Sequence, residues 1–168
     1  MGRKSIKENK TVYQLAREKN DLTRAKAAEL LDYIGEDRLE RIEDEKSYPN
    51  PDEVLRMSEC YKQPELCNHF CTHECAIGKK YVPEIEMAEL PSIILETIAS
   101  LNAMEPLTKR LIEISRDGQV TDDEISDFSY IMQHLQDVSQ AVETLNFWVE
   151  KTISEGKINL ELLKKQQS

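Results

Sequence analysis

Apolar residues recur along this chain in steps of three and four, and never alternate strictly with polar residues over a strand's length. The pattern predicts an all-α protein. Val12, Leu15 and Ala16 mark a first helix from about Thr11 to Lys19. Thr23, with Leu22 before it, caps a second helix whose apolar face is Ala27, Leu30 and Leu31. Asp32 to Gly35 is a turn, and Leu39 and Ile42 place a third helix over about Glu36 to Glu45. After the loop from Ser47, Asn50 is the N-cap, Pro51 the first helical residue and Glu53 the returning carboxylate of a fourth helix. Val54, Leu55 and Met57 face inward there, and Lys62-Gln63-Pro64 ends that helix and begins another.

Beyond a linker from Tyr81 to Leu90, Pro91 starts a long helix. Its seam is Ile94, Ile98, Leu101, Met104, Leu107, Leu111 and Ile114, and Pro106 predicts a kink within it. Asp117-Gly118 ends it. Thr121 to Glu124 forms a capping box, with Val120 and Ile125 as a hydrophobic staple. The last long helix, about 34 residues to Glu155-Gly156, carries Ile125, Phe128, Met132, Leu135, Val138, Val142, Leu145 and Val149. The short connection predicts an antiparallel hairpin over residues 91–156. Two helices alone bury little, so the hairpin calls for a partner: a second copy of the chain, with the N-terminal domain or a different protein as alternatives. Residues 157–168 form a tail.

At 168 residues, with 6% aromatic and 32% charged side chains, the chain is long enough for one or two small domains with thin cores. It has no apolar run of about 18 residues, and its first residues, MGRKSIKENK, lack the apolar stretch of a signal peptide. The expectation is a cytoplasmic protein that does not enter a membrane. The net charge of −10 disfavours nucleic acid, but it is unevenly spread. Up to Lys62 there are 13 Lys/Arg and 14 Asp/Glu; after it there are 9 and 18. The N-terminal part is therefore almost neutral and is led by a basic arm, residues 1–10, bearing Arg3, Lys4, Lys7 and Lys10. Such an arm suits phosphates; a solvated terminus is the plain alternative.

The segment LTRAKAAELL followed by RLERIEDEKSYPNPDEVLRMSECY resembles the helix-turn-helix domain of the XRE, or lambda-repressor-like, regulators, over residues about 11–62. Arg41-Ile42-Glu43, Pro49 and Pro51-Asp52-Glu53-Val54-Leu55 carry the resemblance with the Leu-Thr opening at Leu22-Thr23. It implies a five-helix domain over residues 11–64, whose second and third helices form the helix-turn-helix, and binding to double-stranded DNA. Arg24, Lys26, Arg38, Arg41 and Lys46 are the candidate phosphate contacts. The turn is about one residue longer than the family's usual pattern, and the third helix opens with Glu36-Asp37, at the end that contacts base edges in this family. Those carboxylates can accept from cytosine N4; alternatively they favour the helix dipole and the surface meets a protein.

Residues 65–90 are Cys-rich. With Cys60, the residues Cys67, Cys71 and Cys75 form a C-x6-C-x3-C-x3-C run with His69 and His73 among them. Thiolates suit zinc, or an iron–sulfur cluster, in a reducing compartment. An unbroken helix would carry Cys75 about 12 Å beyond Cys67, too far for one ion, so a break near Thr72-Glu74 is required for a four-thiolate site. Reduced thiols packed beside Leu66, Phe70 and Ile77, or a redox-sensitive group, are the alternatives. No nucleophile motif, phosphate loop or paired His-Glu metal motif occurs, so no enzyme is expected. The reading is a dimeric DNA-binding transcriptional regulator, with a protein-interaction module on the same scaffold as the alternative.

Overall fold

A computed structural model of the chain describes residues 9–159 together with 161, 162 and 165. Most of the basic arm, including Arg3, Lys4 and Lys7, and much of the tail lie outside the described residues. Among the described residues all regular structure is helical. The chain divides into two packed units, Met1–Glu84 with Glu150–Ser168, and Ile85–Val149.

The N-terminal unit starts with α1 (Val12–Lys19), α2 (Arg24–Leu31), α3 (Glu36–Glu43) and α4 (Pro51–Tyr61). The starts of α1, α2 and α4 are fixed by local side-chain caps. Thr11 Oγ1 accepts from Gln14 N and Thr23 Oγ1 from Lys26 N, both at 3.2 Å. The Asn50–Glu53 capping box is complete, with bonds of 2.9 and 2.8 Å. α3 ends at Glu43 rather than Glu45, because Asp44 caps it and Glu45 takes a positive φ of 58°. The core is Tyr13, Ala16, Ala27, Leu31, Ile34, Leu39, Ile42, Val54, Met57, Tyr61 and Leu66.

Three apolar residues expected inside are instead about half exposed: Leu15 at 52%, Leu30 at 49% and Leu55 at 53%. On α1 the inward face is Tyr13, Gln14, Ala16 and Arg17. Tyr13 and Arg17 bury long apolar stems because their polar tips find partners inside, which a pattern of purely apolar residues does not register.

Between α2 and α3, Ile34 is fully buried and plugs the turn. The turn's positive φ, 61°, falls on Asp32 and not on its glycine; Gly35 sits at φ −69° as the N-cap of α3. Arg56 of α4 clamps the turn, donating to Leu30 O at 2.9 Å and to Asp32 Oδ2 at 2.8 Å.

After the left-handed cap at Lys62 come α5 (Glu65–His73) and the short α6 (Gly78–Tyr81). The helix therefore breaks after His73, and the chain folds back so that Gly78 lies directly on Cys71. A Cβ built on Gly78 would stand 2.7 Å from Cys71 Cα. Lys151 closes this unit, buried and paired with Glu65 at 2.6 Å.

The second unit holds α7 (Leu90–Met104), a 3-10 turn at Glu105–Leu107 around Pro106, α8 (Thr108–Ile114), a 3-10 turn at Ser115–Asp117, and most of α9 (Ile125–Ser154). Pro106 produces the expected interruption, and Gly118 ends the segment at φ 74°. Arg110 and Asp127 pair at 2.7 Å between α8 and α9. The seam keeps the expected Met104, Leu107, Leu111 and Ile114, but in its first half it runs one position earlier than the apolar residues suggest. Its less exposed positions are 93, 97, 100, 104, 107, 111 and 114, at steps of four and three. The expected seam contained successive three-residue steps, each about 60° short of a full turn, so it drifts off one face. Ile94, Leu95, Ile98 and Leu101 are left exposed at 38 to 70%. On α9 the expected Phe128, Val138, Leu145 and Val149 are half-buried, whereas Ile131 and Ala141, outside the expected row, are buried and Ile125, Met132, Leu135 and Val142 are exposed at 36 to 53%.

Candidate functional site

The seven residues expected to meet DNA fall into two groups. The first works inside the fold. Arg38 makes two bonds to Glu53, at 2.7 Å each, and also donates to Ser47 Oγ at 2.6 Å and Tyr48 O at 2.9 Å. This ties α3 to the start of α4 and to the loop between them. Arg24 donates to Glu43 at 2.8 Å and lies 3.5 Å from Asp44. Glu43, 1% exposed, also receives a two-point contact from Arg17 at 2.6 and 2.8 Å. Glu43 of the Arg-Ile-Glu motif is thus the hub joining α1, α2 and α3. Burial and bidentate geometry make such pairs strong determinants of orientation.

The second group faces solvent. Glu36, Asp37 and Arg41 are exposed on α3, as is Glu40 beside them. Lys26 pairs with Glu29 at 3.2 Å and Lys46 with Asp44 at 3.0 Å, and all four side chains but that of Asp44 are well exposed. Exposed pairs of this kind contribute about 0–1 kcal/mol, so both lysines are available to another partner. Among the described residues Arg41 makes no side-chain hydrogen bond or ion pair. The outer face of α3 is therefore acidic at its N-terminal end, with Arg41 as its basic residue.

The Arg38 guanidinium, hydrogen-bonded to Glu53, holds that carboxyl below its usual range, aided by the Asn50 backbone N–H. A carboxyl lowered in the folded state stabilises the fold above its unfolded pKa of about 4.3, and that contribution is lost as pH falls through the lower folded value. The urea midpoint is expected to drop between about pH 5 and 3, and to drop less in Glu53→Gln, as read by helical circular dichroism.

The four cysteines are reduced and half-buried. Cys60 and Cys67 pack against the core, and Cys75 Sγ accepts from Gly78 N at 3.4 Å. Burial pushes the thiols of Cys60, Cys67 and Cys71 up, which suits packed neutral thiols more than reactive thiolates. Among the described residues no three His, Cys, Asp or Glu side chains are arranged to hold a metal ion. Although the helix breaks where a four-thiolate site requires it, the donors do not converge as zinc or an iron–sulfur cluster needs.

A further cluster was not anticipated. Tyr13 Oη donates to Glu74 Oε1 at 2.7 Å, across 61 residues of sequence. His69 meets the Tyr13 ring edge-on at 6.3 Å and stacks on His73 at 4.4 Å between centroids. The Tyr13 hydroxyl is pushed well up, by burial first and then by its bond to Glu74. The i, i+4 spacing of His69 and His73 signals their stacking, but nothing local joins them to Tyr13.

No protein-family model, curated protein or solved structure matches this chain.

Proposed function

We propose that the chain is a DNA-binding transcriptional regulator of the helix-turn-helix type, with α2 and α3 as the two helices and α3 as the one that enters the major groove. The observation that carries this reading is the way α3 is held. Its inner side is fixed at both ends by charged clamps, Arg17 and Arg24 on Glu43 and Arg38 on Glu53, while Glu36, Asp37, Glu40 and Arg41 stay in solvent. A rigidly presented, uncovered helix is what readout of base edges requires. The arrangement fits the resemblance of Leu22-Thr23, Arg41-Ile42-Glu43 and Pro51 to Leu55 to XRE regulators, and implies their lambda-repressor-like domain.

In this reading Arg41, Lys26 and Lys46 contact phosphates, and Glu36 and Asp37 accept from cytosine amino groups. Arg24 and Arg38 position the helix instead. Two variants separate these roles in anisotropy titrations against duplex DNA. Arg41→Ala is expected to keep wild-type stability and to lower the salt slope of binding by about 1. Arg38→Ala is expected to lower the urea midpoint, since Glu53 loses its cation and keeps only the Asn50 N–H as partner. Equal DNA affinity and salt slope in Arg41→Ala and wild type would count against the assignment.

The rows Ile94, Ile98 and Leu101 on α7 and Met132, Leu135 and Val142 on α9 supply the surface for a second copy, giving a two-fold dimer suited to a symmetric operator. Ile98→Glu with Leu101→Glu is expected to give a monomer in analytical ultracentrifugation where wild type sediments as a dimer.

The acidic end of α3 favours one other reading, a module that docks a basic protein through Glu36, Asp37 and Glu40. Charge reversal at Glu36 and Asp37 would then abolish partner binding. In the DNA reading the same change raises affinity for non-specific duplex and weakens sequence preference.

A further inference from the structure

Asp32, between α2 and α3, takes φ 61° and ψ −75°, and Tyr33 N donates to Leu31 O at 2.8 Å across it. This is a γ-turn of the strained kind, with a positive φ on a residue that bears a Cβ. The two side chains that follow it go opposite ways: Ile34 is fully buried, while Tyr33 is 62% exposed. The exposed ring is nevertheless fixed. Tyr33 Oη donates to Asp52 O at 2.8 Å, at the start of α4. Arg56 holds the turn itself through Leu30 O and Asp32 Oδ2.

Tyr33 forms one wall of an open cleft of about 430 Å³, whose other walls are Asn50, Asp52, Leu55, Arg56 and Glu59. Its apolar lining, Tyr33 and Leu55, is more than half exposed. The rim is acidic. Asp32, Asp52 and Glu59 all reach solvent. The basic group there, Arg56, is already engaged by Asp32 at 2.8 Å, with Glu59 at 3.8 Å from its other nitrogen. Among the described residues no side-chain partner is found for Asp52. Three carboxylates around one engaged guanidinium leave a negative ring about an apolar centre. Such a surface is complementary to an apolar side chain flanked by cations. The Tyr33 bond, the Arg56 clamp and the Asn50–Glu53 capping box hold the walls in place beforehand, so binding orders little on this side.

We propose that this cleft docks a basic segment of another protein. An apolar side chain of that segment lies between Tyr33 and Leu55, and its flanking Lys or Arg side chains face Asp32, Asp52 and Glu59. None of these residues belongs to α3, so the proposal stands apart from DNA reading and from docking through Glu36, Asp37 and Glu40.

The isotope-labelled full chain is titrated with three capped peptides, Lys-Lys-Leu-Lys-Lys, Lys-Lys-Gly-Lys-Lys and Glu-Glu-Leu-Glu-Glu, and backbone amide shifts are followed by NMR. Saturable shifts are expected at Tyr33, Leu55 and Arg56. The Lys–Leu peptide is expected to bind at least about ten-fold more tightly than the Lys–Gly peptide, because its side chain leaves water on docking. The Glu peptide is expected to produce no saturable shift. Leu55→Ser, at an exposed position outside the core, is expected to erase the preference for Leu over Gly. Asp52→Asn with Glu59→Gln is expected to weaken the Lys–Leu peptide several-fold. Equal affinity for the Leu and Gly peptides would mean that a chain of net charge −10 merely attracts polycations, and would overturn the proposal. So would the absence of saturable shifts, or shifts centred on Glu36, Asp37 and Glu40. The wild-type comparison needs no variant, so a variant that failed to fold would leave the test intact.

Discussion

Glu43→Ala is expected to cost about 3–5 kcal/mol of folding stability, and to leave the N-terminal unit between a few per cent and about half unfolded at room temperature if its total stability is near the low end of the usual range, about 5 kcal/mol. The carboxylate is 1% exposed and takes three charge-assisted hydrogen bonds, two from Arg17 and one from Arg24. Arg24 can turn to Asp44, which already lies at 3.5 Å. Arg17 has no such outlet. Its side chain is 7% exposed, and without Glu43 it retains the Leu22 carbonyl as acceptor and a distant contact with Glu18 at 4.0 Å. The penalty comes from stranding the guanidinium rather than from losing attraction. Removing both partners should therefore be far milder. Arg17→Met combined with Glu43→Leu is expected to recover most of the midpoint lost in Glu43→Ala, because buried ion pairs exchange for apolar groups at little net cost. Urea unfolding followed by circular dichroism measures both, and a Glu43→Ala loss below about 1 kcal/mol, the level of an exposed pair, would contradict the hub role.

The second large effect is expected at Gly78. Its backbone φ is unexceptional; the requirement is for space. An added Cβ would overlap the Cys71 carbonyl and sit 2.7 Å from Cys71 Cα. Those are backbone atoms of α5 and cannot swing aside as a side-chain tip can. Gly78→Ala must push α6 off α5, at an expected cost of about 1–3 kcal/mol. The displacement also breaks the Gly78 N–H bond to Cys75 Sγ and loosens the hold of Asn68 Nδ2 on Pro83 O, now 3.0 Å. Faster alkylation of Cys71 and Cys75 under native conditions is the specific readout. Gly35→Ala is the control, since nothing lies within 4 Å of its added Cβ, and it should leave alkylation unchanged.

These two residues also mark how far sequence reasoning reaches. The helix starts at Thr23 and at Asn50, the end at Gly118 and the interruption at Pro106 are legible, because each is decided by residues within one turn of the site. The fates of the arginines are not. Arg38 and Glu53 are 15 residues apart, and Arg17 and Glu43 are 26 apart. Nothing in local spacing distinguishes an arginine that clamps its own fold from one that reaches for phosphate. For the same reason Arg24 and Arg38 look equivalent to Arg41 in the sequence but not in the structure. The seam of the second unit is legible from Met104 to Ile114 but is read one position late before that, because Ile93, Thr97 and Ser100 lie beside a more apolar row, Ile94, Ile98 and Leu101. Residue type favours the second row, whereas helix geometry places the first inside. The Tyr13–Glu74 contact spans 61 residues and leaves no trace in any local pattern.

The cysteine run shows the opposite limit. Four thiols within 16 residues read as a ligand set; in the fold Cys60 and Cys67 pack against the core, and no three donors among the described residues are grouped to hold an ion. Their spacing is compatible with both uses.

We propose above that α3 reads DNA. The most direct measurement is selection of bound duplexes from a random double-stranded pool by the full chain at low salt, followed by sequencing. Enrichment of one two-fold symmetric sequence is expected, with cytosines at the positions facing Glu36 and Asp37, and loss of that enrichment when both are changed to alanine. A pool that emerges from repeated rounds as random as it entered would contradict it.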